Sequence, residues 1–396
     1  MKLIKYLKQQ TPIIHFQHDQ TGATLRATEV KPKLDRWIKE QYGKPIPKAW
    51  KVGQHEALNY KLKILPDGKG ESWHIPTSRK SQSGKLDSVA PMYLGDQGVK
   101  SEADVEKHLV FYTGKIRVEL LVPNEELRKF IDARLGNFFF LHNFGTRQNK
   151  GYGSFCALDD IGQPEGLTAQ HPYLSIAFSS NLDEKNYKRV FEVIQYYYQR
   201  LKSGVNLKDR HYKKAYLYYY LEEQKHNENW EKAWIKSEVV DIDPVYPIGQ
   251  KYTPKFYRAL LGLGDSMQFL GYEKAKFKRK GHKESEYPPG KKTVKVTIKH
   301  KKSKIKEISR IKSPISFKPI KVGDRMRIYV VPTGFETWPL NEEFSFKGKE
   351  DYATIKTPAT KIDIADLISK YNEHLNHAFP AYDYSMNKIA DVKIHK

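Results

Sequence analysis

One cysteine, Cys156, stands in 396 residues. A single thiol excludes an intramolecular disulfide framework and any zinc or iron–sulfur site built from several cysteines, and it suits a reducing cytoplasm. Long apolar runs are missing too. No stretch approaches the ~20 residues that cross a bilayer, and Met1-Lys2-Leu3-Ile4-Lys5-Tyr6-Leu7-Lys8 is broken by lysine too often to form the apolar part of a signal peptide. The expectation is a soluble, cytoplasmic protein with no membrane partner. Signature motifs are also absent. No Gly-Lys pair is followed by Ser or Thr, so there is no nucleotide-binding P-loop, and no His-Glu-x-x-His helix offers a metal site. Gly262-Leu263-Gly264-Asp265-Ser266 lacks the flanking strand and third glycine of a dinucleotide fingerprint. No cofactor and no metal are expected. Acid, finally, is scarce: 46 Asp+Glu face 69 Lys+Arg, a formal charge of +23.

What is present points to an ordered, basic protein. Aromatics make up 13% of the chain, enough apolar surface to offset the entropy of ordering, and the length suits two domains. The charge is uneven. Residues 274–312 hold 16 Lys and Arg against Glu284, Glu286 and Glu307, a local net charge of +13. Such a block is either a solvated face or a polyanion-binding surface. Within it Thr293-Val294-Lys295-Val296-Thr297-Ile298-Lys299 alternates polar and apolar residues, the period of a strand with one wet, cationic face. A basic amphipathic helix would favour a membrane surface; strand and loop favour nucleic acid, whose phosphates release counterions when they meet Lys or Arg.

Element order follows from periodicity and punctuation. Lys2 to Gln17 reads as extended, with a break at Thr11-Pro12, and Pro32 reads as the first position of a helix with Leu34, Trp37 and Ile38 on one face. The stretch from Pro66 to Gly98 reads as a long loop. Val110 to Tyr112 and Lys115 to Val122 read as strands, Asn124 to about Leu135 as a helix, and Phe138 to Leu141 as strand-like before a glycine-rich turn that runs into Cys156-Ala157-Leu158. The order is βαββαβ. The second half repeats it: strand from Tyr173 to Phe178, helix from Lys185 to Lys202, strands from Thr293 to Ile298 and Arg325 to Val331, helix from Lys361 to Ala378, and a last strand from Ile389 to Ile394. Tyr212 to Lys225 and Trp230 to Lys236 read as a helical pair inserted in it. The fold class expected is α+β: a ferredoxin-like domain over 1–165, and a second over 166–396 with a helical insertion at about 204–292 and the basic segment 274–312.

The sharpest local signal is Gly145-Thr146-Arg147-Gln148-Asn149-Lys150-Gly151-Tyr152-Gly153-Ser154-Phe155. Three glycines let the backbone approach an anion while Arg147 and Lys150 supply charge at the rim. A plain glycine hairpin explains the glycines but not the cations. The pattern of glycine, cationic stretch, glycine-aromatic-glycine and strand resembles the glycine-rich loop of the RAMP superfamily, the ferredoxin-like RNA-binding subunits of CRISPR effector complexes in antiviral defence. Thr11-Pro12-Ile13-Ile14 followed by Leu25 to Trp37 resembles the first strand, turn and helix of such proteins, although Lys31-Pro32 stands where a Lys-Gly turn is commoner. Arg310-Ile311-Lys312-Ser313-Pro314-Ile315 resembles an Arg-x-x-Ser-Pro-aliphatic strand in the tandem-domain RAMP subunit of type III-B effectors.

The resemblance implies a non-catalytic subunit of a CRISPR-type effector ribonucleoprotein that contacts guide RNA or the guide/target duplex, with other effector subunits as partners. It implies an RNA path lined by Arg26, Lys31, Lys33, Arg36, Gly145, Thr146, Arg147, Lys150, Gly151, Gly153, Arg310 and Lys312. Two alternatives stand beside it. Some relatives cleave precursor guide RNA without metal through a histidine, and His15, His18, His55, His74 and His142 are placed for that role. A DNA-binding accessory protein is the other.

Overall fold

The computed structural model describes residues 2–14, 24–68, 70–76, 78–80, 86–88, 108–166, 171–178, 184–206, 212–224, 231–239, 254–264, 266–272, 291–300, 311–335, 337–348, 352–377 and 392–395. In chain order the first elements are β1 (Lys2–Gln9), α1 (Ala27–Tyr42), β2 (Lys61–Asp67), β3 (Ser72–Pro76), β4 (Ser78–Lys80), β5 (Leu86–Ser88), β6 (His108–Tyr112), β7 (Lys115–Leu121), α2 (Glu125–Leu141) and β8 (Phe155–Ala157). Then follow β9 (Tyr173–Ala177), α3 (Glu184–Lys202), β10 (Val205–Asn206), β11 (Tyr212–Lys213), α4 (Tyr216–Glu223), α5 (Glu231–Glu238), a 3₁₀ segment Tyr257–Leu261, β12 (Ser266–Tyr272), β13 (Lys291–His300), β14 (Ile315–Val322), β15 (Arg325–Pro332), β16 (Glu343–Lys347), β17 (Tyr352–Lys356), α6 (Ile364–His377) and β18 (Lys393–His395). This is an α+β protein of antiparallel sheets with few helices. Among the described residues no helix is long and apolar enough to cross a membrane.

Two compact units emerge: Met1–Tyr198 with Ser316–Val331 and Asn372–Lys396, and Gln199–Ile315 with Pro332–Tyr371. The first unit holds two four-stranded sheets with one strand grammar. In the amino-terminal sheet the order is β2-β7-β1-β8, and all three pairings are antiparallel. The other sheet runs β14-β15-β9-β18. Each therefore places its strands second, third, first, fourth.

Alternation builds the first sheet. Leu3 and Leu7 of β1 and Ile116, Val118 and Leu120 of β7 turn inward against Val30, Leu34 and Ile38 of α1 and Leu127, Ile131 and Leu135 of α2. Asn124 caps α2, its Oδ1 accepting from the Leu127 amide at 2.9 Å, and Gly43 ends α1 in the left-handed region at φ 65°, its amide bonded to the Lys39 carbonyl.

Four expectations are corrected here. Helix α1 starts at Ala27, not at Pro32, which sits exposed inside it; burial of Val30, Leu34, Trp37 and Ile38 outweighs the hydrogen bond that proline forfeits. Phe138 to Leu141 is the last turn of α2, not a strand. An apolar run buried on all sides has the same pattern in either element, and Phe138, Phe139 and Phe140 are all buried. The second strand of the sheet is Lys61–Asp67; Val110 to Tyr112 pairs with β3 instead, so part of the expected loop from Pro66 to Gly98 is strand. In the second sheet the corresponding strand is Ile315–Val322, whereas Thr293 to Ile298 lies in a separate sheet.

That separate sheet, β12-β13-β16-β17, belongs to the second unit with α4 and α5, so the segment expected to be helical also contains strands. Phe269, Val296, Ile298, Phe344, Phe346 and Ile355 form its inner face, packed on Ile235 and Phe256. Lys295, Thr297 and Lys299 are exposed, the wet cationic face that the alternation of β13 requires. A buried ion pair, Arg258 to Glu231, lies in the same unit. Of the expected final strand, Lys393 and Ile394 fall in β18, Val392 precedes it, and Ile389 to Asp391 lie outside the described residues.

Candidate nucleic-acid interface

The glycine-rich turn bridges the end of α2 and β8. Its base is a short antiparallel contact: Phe144 N donates to Gly153 O at 2.9 Å, and Asn143 opposes Ser154. Gly145, Gly151 and Gly153 all have positive φ, at 78°, 84° and 63°, and each is packed so closely that a Cβ would collide. At Gly153 that atom would stand 1.9 Å from the Phe144 carbonyl oxygen, and at Gly145 2.6 Å from Ile13 Cγ1. Arg147 also takes positive φ, at 59°, which turns the chain at the tip.

The amides that the sequence suggested would cradle an anion are engaged within the protein. Thr146 N donates to Ile14 O (2.8 Å), Lys150 N to Arg147 O (2.8 Å), Gly151 N to Gln148 O (3.2 Å) and Gly153 N to Pro12 O (2.8 Å). The Gly145 amide donates to the Glu29 carboxylate. Thr11 locks the arrangement, its hydroxyl donating to Gly151 O at 2.6 Å and accepting from Ser154 N at 3.0 Å. With those five amides occupied, the side chains define the rim: Thr146 is exposed and Arg147 to Lys150 are half-buried.

Helix α1 supplies a neighbouring stripe. Arg26, Glu29, Lys33 and Arg36 recur at helical spacing on one face. Lys33 reaches the loop, donating to Asn143 O at 2.8 Å and to the Gln148 side chain and lying 4.7 Å from the centre of the Phe144 ring. Arg36 is exposed one turn further along. Lys31 faces another way. It pairs with Asp35 at 3.0 Å, donates to Leu58 O and sits 4.0 Å over the Tyr60 ring, so it joins α1 to the 58–60 segment and is not gathered with the loop.

Strand β14 holds the loop from beneath. Asn143 Nδ2 donates to Phe317 O (2.7 Å), Ser154 Oγ to Pro319 O (2.7 Å) and Phe317 N to Asn149 O (3.2 Å). Lys150 lies with its ammonium 3.3 Å from the centre of the Tyr198 ring. Lys318 is fully buried and donates to the carbonyls of His142 (2.8 Å) and Phe155 (2.7 Å); burial, with a smaller push from Lys33, lowers its ammonium to about 7. The Cys156 thiol is pushed up to about 11 by burial, which leaves it inert.

The sequence-derived residues therefore divide. Lys33, Gly145, Thr146, Arg147, Lys150, Gly151 and Gly153 come together, with Arg26 and Arg36 on the adjoining helix face. Lys31 is committed elsewhere, Lys312 is exposed in the second unit, and Arg310 lies outside the described residues. Glu29, Asn143, Tyr198 and Lys318 were missed, since only the fold brings them to the loop. Of the histidines, His142 packs its ring on Phe138 and Trp37 with Nδ1 donating to Phe138 O at 2.8 Å, His55 and His74 are exposed, and His15 and His18 lie outside the described residues. Among the described residues no cluster of His, Cys, Asp or Glu could hold a metal ion.

The family model for the Cmr1 N-terminal domain matches residues 1–205, and that for the Cmr1 C-terminal domain matches residues 212–389. No curated protein matches. Among solved structures, the chain is similar to apo Cmr1 from Pyrococcus furiosus at 9% identity, over 100% of this chain and 98% of that one, with a TM-score of 0.38. It is also similar to a chain of the type III-B Cmr-beta complex bound to cognate target RNA, at 14% identity over 40% of this chain, with a TM-score of 0.25; the match spans 58% of that chain's length. Two domain models running from residue 1 to residue 389 uphold the resemblance to the tandem-domain RAMP subunit of type III-B effectors: the chain belongs to the Cmr1 family.

Proposed function

We propose that this protein is a non-catalytic RNA-binding subunit of a type III-B CRISPR effector ribonucleoprotein, contacting guide RNA or the guide/target duplex beside other subunits in the cytoplasm. Each four-stranded sheet of the first unit, with its helices, is read as a ferredoxin-like βαββαβ domain, the amino-terminal one over 1–165 and the other within 166–396. One observation carries the reading. A loop fixed by packed glycines places Arg147 and Lys150 at its rim beside Lys33, while the amides of Gly145, Thr146, Lys150, Gly151 and Gly153 are bonded within the protein, so the surface offers cations on a fixed frame. Such a surface recognises a phosphate backbone by charge and shape. Family membership supports the same assignment, and the related Cmr-beta complex is one bound to target RNA.

The test is RNA binding by fluorescence anisotropy across a salt series. Arg147→Ala with Lys150→Ala is expected to weaken affinity by about tenfold or more and to flatten the salt dependence, with the fold intact by circular dichroism. Unchanged affinity and slope would overturn the reading. Incubation of the protein with repeat RNA, with and without EDTA, is expected to leave the RNA whole; site-specific cleavage abolished by a single His→Ala change would replace the reading with the endoribonuclease.

A further inference from the structure

The amino-terminal sheet has a second face, turned away from α1 and α2. The register places on it Lys2, Ile4, Tyr6 and Lys8 of β1, then Lys115, Arg117, Glu119 and Leu121 of β7, and Lys61, Lys63, Leu65 and Asp67 of β2. On the two adjacent strands β1 and β7 three large apolar side chains stand in solvent: Ile4 is 41% exposed, Tyr6 38% and Leu121 50%. Isolated exposed hydrophobics need no explanation, but three on neighbouring strands of one flat face do. Around them are six cations and two acids. Glu119 accounts for Lys2 (3.0 Å) and Arg117 (3.2 Å). Lys63 lies across the strands from Glu119 and helps hold its carboxyl below the ordinary range, Lys8, Lys61 and Lys115 form no ion pair among the described residues, and Lys115 lies 6.0 Å from the centre of the Tyr6 ring.

This chemistry has a specific complement. Eight of the twelve positions on this face are charged, which does not suit a protein interface, whose centre is depleted of charge. An exposed tyrosine on a sheet with lysines spaced around it offers a base a ring to stack on and its flanking phosphates cations to meet. A duplex keeps its bases stacked inside and cannot use the ring. At the Lys8 end the face opens into a cavity of about 270 Å³ lined also by Thr113, Gln163 and Lys321, with no carboxylate in its lining. We infer that this face is a stacking platform for single-stranded RNA, with Tyr6 as its base-contacting residue and Lys8, Lys63 and Lys115 as its phosphate contacts. It is separate from the glycine-loop surface.

The experiment compares a labelled single-stranded oligouridylate with duplex RNA on the full chain. Tyr6→Ala is expected to weaken single-strand binding about tenfold, Tyr6→Phe to keep it, and neither to change duplex binding. Lys8→Ala with Lys63→Ala is expected to reduce the single-strand salt slope by about 1.4, two phosphate contacts' worth. A 4-thiouridine oligomer is expected to crosslink to the peptide containing Tyr6. Because these side chains are exposed, the variants retain the core, which the melting curve verifies. Unchanged single-strand affinity in Tyr6→Ala overturns the platform, as does a variant that loses only its association with protein subunits. A chain that depends on Arg147 and Lys150 but ignores Tyr6→Ala refutes the platform and leaves the loop reading standing; dependence on Tyr6 alone does the reverse.

Discussion

Gly153→Ala is the most demanding test of the loop, because its effect divides into two parts that can be separated within the same protein. The backbone there sits at φ 63°, and an added Cβ would lie 1.9 Å from the Phe144 carbonyl oxygen. Left-handed backbone costs about 1–2 kcal/mol for a residue with a Cβ. Overpacking against backbone adds about 1–3 kcal/mol. The total is about 2–5 kcal/mol, less a few tenths regained from the stiffer unfolded chain. Gly43 is the control: it has nearly the same φ, 65°, yet nothing lies within 4 Å of where its Cβ would be. Gly43→Ala should therefore show only the backbone part, about 1 kcal/mol after the unfolded-state gain. Urea titration followed by tryptophan fluorescence, through buried Trp37 and Trp50, reads both losses, provided the slopes agree. Hydrogen exchange at the Phe144 amide, which donates to Gly153 O, localises the damage. Equal destabilisation of the two variants, within about 0.5 kcal/mol, would refute the claim that close packing and not turn geometry alone demands glycine at 153.

Three further outcomes follow from the same structure. Lys318 holds its proton up to about pH 7 in the folded chain and to its ordinary 10.5 when unfolded, so the unfolded state binds more protons between those values; stability should rise as pH climbs from 7 toward 10.5, and Lys318→Met should flatten that rise by about a few kcal/mol in denaturant melts across the window. Glu29→Gln keeps an acceptor for the Gly145 amide while deleting an anion beside the proposed RNA path, so RNA affinity at low salt should increase severalfold, as measured by anisotropy. Glu231→Ala strands the buried Arg258 guanidinium and should destabilise the second unit by about 3–5 kcal/mol in thermal or urea unfolding, whereas replacing both residues with apolar ones should recover much of the loss.

The legible parts of the sequence were those where a local pattern has a single structural outcome. Alternation from Thr293 to Lys299 can only divide a strand into wet and dry faces, and β13 does so. Cations between glycines marked the loop from Gly145 to Gly153 before any neighbour was known. Patterns with two outcomes were misread. Phe138-Phe139-Phe140 suits a buried strand or a buried helix, and Gly136-Asn137 after Leu135 has the form of a helix stop, yet burial of the three phenylalanines carries α2 through it. Pro32 opens many helices, yet here the apolar stripe beginning at Val30 carries the helix through it. Strand pairing was not local at all: that β7 pairs with Lys61–Asp67 rather than with its nearer neighbour depends on sheet closure, not on any residue between them. The same holds for the loop's supports. Glu29 looked like an ordinary first-turn acid, and Lys318 like one more lysine in a basic chain, until the fold set one on the Gly145 amide and the other beneath His142 and Phe155.

The dependence of the glycine loop on β14 has a consequence for biosynthesis. Residues 142–154 leave the ribosome well before Phe317, Lys318 and Pro319, the residues that bond to Asn143, Asn149, Ser154, His142 and Phe155. At ordinary translation rates the interval is on the order of ten to thirty seconds. During it a nascent chain carries the glycines and cations of the loop without the strand that fixes their arrangement. Assembly of the proposed RNA-binding surface is therefore tied to synthesis of more than three-quarters of the polypeptide, and a truncated product carries Arg147 and Lys150 without the strand that fixes their loop.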